Sequence, residues 1–91
     1  MTRESVRQFA EAMEKVLARN DGKDGWEECT NLYLIQRMIE EASEVLQRLD
    51  AGELEDMAEE AIDVANFAMM IYDNNMDHLG KGEKLKDGEK K

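Results

Sequence analysis

The chain has no proline, one cysteine, one histidine and few aromatic residues, 5% in all. Without proline, and with helix-forming residues in the majority, helix termination is left largely to glycine. A single thiol, Cys29, excludes a disulfide framework and suits a reducing compartment. His78 lies far from it in sequence, so Cys29 reads first as a small half-buried residue and only second as an activated nucleophile. No segment approaches the roughly 18 to 20 apolar residues that a membrane span requires. The stretch "MTRESVRQFAEAMEKV" has no apolar core long enough for a signal peptide. These absences predict a soluble, cytoplasmic protein with no membrane partner.

What is abundant is negative charge. The 91 residues carry a formal net charge of −10, unevenly distributed. Residues 40–63 hold ten acidic side chains against one basic side chain, Arg48. Such a surface repels a nucleic-acid backbone, so a DNA or RNA polymer is excluded as the expected partner. An acidic cluster suits a divalent metal ion or forms a solvated helix surface. A chain this short buries only roughly 60 to 65% of the surface its unfolded form exposes, so its own core is marginal and oligomerisation is a natural remedy.

The apolar periodicity is helical throughout, and no alternating strand pattern occurs. Val6, Phe9, Met13, Val16 and Leu17 predict a first helix over 4–19, ended by the turn sequence "NDGKDG" at 20–25. Thr30 is a plausible cap for a second helix running to about residue 49, with Leu34, Ile35, Met38, Ala42, Val45 and Leu49 as its apolar stripe. After the short connection "DAG" a third, antiparallel helix should run from about 53 to 72 or a little beyond. "DNNMDHL" either extends it or starts a short fourth. The charged, glycine-punctuated tail at 80–91 is expected to be disordered. The expected fold is all-α, an antiparallel bundle of three to four helices per chain over residues 1–79, completed by oligomerisation.

Within "EEAIDVANFAMMIY" (59–72), a run that otherwise resembles a buried helix centre, stand Asp63 and Asn66. An unpaired buried carboxylate costs several kcal/mol or gives up its charge. Residues three apart on a helix project to nearly the same side, which pairs Glu41 with Glu44 and Glu60 with Asp63 on two facing helices. Glu41 is in register with Leu34, Met38 and Val45, on the inward stripe. If the helices face each other, four carboxylates converge, and a cation such as Mg²⁺, Mn²⁺ or Ca²⁺ resolves the conflict. The alternatives are solvated acidic faces, or a structural ion pair between Asp63 and Arg37 or Arg48. A carboxylate-bridged di-iron bundle is excluded, because His78 follows no Glu at the required spacing.

The segment "LIQRMIEEASEVLQRLDAGELEDMAEEAIDVANFAMMIYDN" resembles the core of the MazG-like nucleotide pyrophosphohydrolases, of the all-α NTP pyrophosphatase superfamily. Their pattern, EExxE, a spacer and ExxD, is met by Glu40, Glu41 and Glu44, then fifteen residues (45–59), then Glu60 and Asp63. "DVANF" and the "GW" at Gly25 and Trp26 add to the likeness, which covers about residues 25–75. The resemblance implies hydrolysis of a nucleoside triphosphate between its α- and β-phosphates, giving monophosphate and pyrophosphate. It implies Glu41, Glu44, Glu60 and Asp63 as catalytic Mg²⁺ ligands, Mn²⁺ being the alternative ion, and a homodimer or dimer of dimers.

Other residues keep two readings each. Glu40 either supports a ligand from behind or is plain surface. Asn66 hydrogen-bonds substrate or a neighbouring helix. Trp26 stacks on a base or anchors the entry to the second helix. Arg37 contacts phosphate or pairs within its own helix. Lys81, Lys84 and Lys86 fold over the site or only solubilise the tail. Phe67, Met69, Met70 and Ile71 belong to the core or to a subunit interface, the run at 61–72 being apolar on all sides. The functional alternative to the enzyme is a non-catalytic helical dimerisation or metal-binding module with the same fold.

Overall fold

The structure is a computed structural model that describes residues 1–19, 22 and 25–80. Three helices account for most of it: α1 (Glu4–Ala18), α2 (Asn31–Ala51) and α3 (Leu54–His78), with one 3-10 turn at Trp26–Glu28. No strand occurs among the described residues, as the periodicity predicted. "DNNMDH" continues α3, so no fourth helix forms there. Most of the expected turn at 20–25, and the tail from 81 onward with Lys81, Lys84 and Lys86, lie outside the described residues.

The start of α2 follows from Thr30, whose Oγ1 accepts a hydrogen bond from the Tyr33 N–H at 3.1 Å and satisfies one of the free donors of the first turn. Its end lies two residues later than the periodicity predicted, because Asp50 and Ala51 continue the helix. Gly52 then adopts φ 75°, a left-handed conformation that costs glycine nothing. The Gly52 N–H donates to the Leu49 carbonyl and the Glu53 N–H to the Arg48 carbonyl, the two bonds of a Schellman turn. This reverses the chain within two residues and lays α3 antiparallel along α2.

The far end of the hairpin is fastened by polar groups. Asn31 and Asn75 exchange hydrogen bonds at 3.1 and 2.9 Å across the two helices. The Trp26 indole N–H donates to Asp73 at 3.0 Å, and Asn74 donates to the Trp26 carbonyl at 2.9 Å. Helix α1 packs on α3 and not on α2. α3 is therefore the central helix, which accounts for apolar residues on more than one of its sides.

The core this produces is thin. Leu34, 1% exposed, is the one fully buried apolar side chain among the described residues, and the other two buried residues are polar, Glu41 and Asn66. Met38 and Val45 are half-buried on the same face of α2 as Leu34, but Ile35, Ala42 and Leu49 are exposed. The single apolar stripe read from the sequence of α2 is thus two stripes on different faces. Leu34→Ala should lower unfolding free energy by about 2 to 5 kcal/mol in urea titration at fixed protein concentration. A loss below about 1 kcal/mol would show that packing does not centre on this residue.

Candidate metal centre

The inward face of α2 repeats at three- and four-residue intervals through Leu34, Arg37, Met38, Glu41, Glu44, Val45 and Arg48, all buried or half-buried. Glu41 occupies its middle and is only 8% exposed. Opposite it on α3 stand Glu60 and Asp63, one turn apart. One carboxylate oxygen from each of Glu41, Glu60 and Asp63 lies within 4.8 Å of the other two. At that separation two unit charges repel by about 1 kcal/mol in water and about 3 kcal/mol at the effective dielectric of a protein surface. Three such repulsions in a half-dry cleft require an answer.

Part of the answer is arginine. Arg37 reaches one turn along its own helix to Glu41 at 3.1 Å and to Glu40 at 2.5 Å, while its guanidinium lies 5.1 Å from the centre of the Phe67 ring. Arg48 meets Glu60 at 3.6 Å and Glu53 at 2.9 Å. Each arginine is therefore shared with an acid outside the trio. The structural ion pair considered for Asp63 does not form: neither arginine reaches it, and among the described residues it has no ion-pair partner. Burial raises the Asp63 pKa, the charges of Glu60, Glu59 and Glu44 raise it further, and Arg19 pulls the other way.

The remaining sequence-predicted residues fall into place around this trio. Glu44, half-buried on the next turn of α2, stays outside the close group, so three of the four expected ligands converge rather than four. It remains near enough for its charge to act on Asp63. Glu40 is exposed and held by Arg37, which places it on the surface.

Asn66, 4% exposed, turns toward α1, where its Nδ2 donates to the Met13 carbonyl at 3.4 Å. Its buried Oδ1 bonds to no protein group. Trp26 is tied to the far end of α3. Its partner Asp73 lies ten residues, or about 15 Å of helix, beyond Asp63. The structure thus makes Trp26 an anchor and does not bring it to the carboxylates.

The sequence reading missed Arg48 as a counter-charge to Glu60. Its place on the inward face, seven residues after Glu41, was the available signal. Oxygen-only donors, crowded negative charge and a carboxylate without an ion-pair contact form a donor set that fits a hard divalent ion. Comparisons of the chain with protein-family models, with curated proteins and with solved structures found no match in any of the three.

A carboxyl whose folded pKa is raised stabilises the fold while protonated, and that contribution is lost as pH rises through the folded pKa. Above that pH the charged Asp63 works against folding. With chelator present, Asp63→Asn should melt at a higher temperature than the wild type at neutral pH. The gap should close as pH falls below the ordinary carboxylate range. Thermal melts across pH check this, and equal melting at neutral pH would show that Asp63 is not strained.

Proposed function

We propose that the chain is a cytoplasmic Mg²⁺-dependent nucleoside triphosphate pyrophosphohydrolase of the MazG-like kind. In this reading it cleaves a ribo- or deoxyribonucleoside triphosphate between the α- and β-phosphates, to monophosphate and pyrophosphate. The observation that carries the reading is the meeting of Glu41, Glu60 and Asp63 across two helices, with no ion-pair partner for Asp63 among the described residues. These are the residues that the EExxE and ExxD pattern singles out, with Glu44 as the fourth.

In this reading Glu41, Glu60 and Asp63 hold the ion, Mg²⁺ or Mn²⁺. When bound, the ion polarises phosphoryl oxygens and lowers the pKa of a water. The protein supplies position. Arg37 fixes the orientation of Glu41, and Arg48 that of Glu60. Glu44, outside the close trio, is the carboxylate left to accept a proton. Asn66 offers an unbonded acceptor at the α1–α3 junction. Arg37 already holds two acids, so a phosphate contact would require it to exchange one of them. Trp26 would reach a base only at the far end of an extended substrate. A homodimer or dimer of dimers completes the helical layers in this reading.

A second reading has its own support. Both arginines already bond the trio, as they would in a structural ion network, and this favours a non-catalytic helical dimerisation or metal-binding module. A panel of nucleoside triphosphates with Mg²⁺, assayed for pyrophosphate, separates the two. The enzyme releases pyrophosphate and monophosphate in equal amounts from at least one nucleotide. Absence of product from all of them, with the fold intact, removes the hydrolase.

Asp63→Asn should cut turnover by more than the roughly 10- to 100-fold typical of residues that only support a ligand, with little change in helicity. Mg²⁺ should raise the melting temperature of the wild type and leave that of Asp63→Asn where it was. An equal rise in both would remove Asp63 from the ion's ligands.

A further inference from the structure

About 130° round α2 from its inward face runs a second apolar lane: Leu32, Ile35, Ile39, Ala42, Leu46 and Leu49. All six are exposed, Leu32, Ile39 and Leu46 by 60% or more. Neither α1 nor α3 covers them. The intervals are three, four, three, four and three, the spacing with which one helix seats against another, sustained over about 26 Å.

The sequence of intervals is the same read backwards. Reversed about the midpoint between Ile39 and Ala42, Leu32 falls opposite Leu49, Ile35 opposite Leu46 and Ile39 opposite Ala42. The lane also lacks charge in a chain whose net charge is −10. Its outer flank, Gln36 and Ser43, is neutral until Asp50 at the very end.

The geometry points to a second copy of this chain as the occupant of the lane, docked antiparallel through α2 about a twofold axis near Ile39 and Ala42. A twofold contact sets one surface against itself. Only a face without charge lets two strongly acidic chains meet without opposing like charges, and only a reversible spacing matches every apolar position to another. The tail at 81–91 cannot take this place, since Leu85 is its single large apolar residue. This places the interface on α2, and leaves the apolar run of α3, which the sequence reading assigned to the core or to a subunit interface, to the core. It gives the dimer of the proposed reading a definite face and symmetry, and it requires neither metal nor nucleotide.

Sedimentation equilibrium of the full chain should give a dimer, and Ile39→Lys should give a monomer that keeps its helical circular dichroism. An intact chain that sediments as a monomer, or a dimeric Ile39→Lys, would overturn the proposal. A variant that unfolds instead leaves the decision to cross-linking in a Cys29→Ser background. Leu32→Cys and Leu49→Cys chains should form no covalent dimer when oxidised separately, and a mixed covalent dimer when exchanged and oxidised together. Cross-linking of Leu32→Cys with itself, or no product from the mixture, rejects the antiparallel pairing. Both readouts are independent of pyrophosphate release, so loss of the hydrolase would leave this interface standing.

Discussion

The rest of the structure depends on how three carboxylates are accommodated where α2 and α3 meet. Glu41 is carried inward by the same repeat that carries Leu34, so it cannot turn to solvent without rotating the helix. Glu60 and Asp63 face it from a helix fixed by the two-residue turn at Gly52. Two arginines answer two of the acids, and each is divided between an inner and an outer carboxylate. Asp63 is left as the remainder. Replacing such a cluster with apolar side chains of similar volume would be neutral or stabilising in many folds. Stability of the isolated chain is therefore no explanation for the cluster; the cation of the proposed reading would supply one.

The helix order follows from the same region. α3 is packed by α2 on one side and α1 on another, which explains an apolar run with no clear polar face. α2 is packed on one side only. Both helices are rich in apolar residues, but only α3 has neighbours enough to use them. One fully buried leucine among the described residues cannot by itself hold three helices against the entropy of ordering them. Polar fastenings at Asn31–Asn75 and Trp26–Asp73 hold the hairpin in register, but bonds that exchange water for protein partners add little net free energy each.

The all-α class, the antiparallel hairpin and the inward position of Glu41 were legible in the sequence, because each rests on a local signal: periodicity, a Thr cap, a glycine in a short turn. The spacing of Glu60 and Asp63 was equally legible. Three things were not. Merging Leu34 with Ile35 concealed a second face, since apolar residues adjacent in sequence differ by about 100° on a helix. The separation of Glu44 from the trio depends on the rotation of α2 against α3, a tertiary quantity. The division of Arg37 and Arg48 among four acids depends on side-chain reach, which spacing alone leaves open. Asn66 turned toward Met13 for a similar reason, because the side of α3 that α1 would occupy is not written in either helix.

The uncompensated carboxylate and the uncovered lane lie on different faces of α2, and this matters energetically. A ligand that binds only the folded state adds stability in proportion to the logarithm of its concentration over its dissociation constant, about 2.7 kcal/mol at a hundredfold excess. Association of two chains does the same with the chain itself as ligand. Contributions from separate faces with no shared residue add nearly independently. On the readings proposed above, a thin core would be stabilised twice, by an ion that relieves Asp63 and by a second chain that covers Ile39 and its neighbours. Neither would substitute for the other: the cation leaves the lane wet, and the second chain leaves three acids crowded. The two are coupled only through α2 itself, whose rotation sets both the depth of Glu41 and the direction in which the lane faces. A change that turned this helix to bury the lane against α3 would swing Glu41 out of the cleft and dissolve the trio.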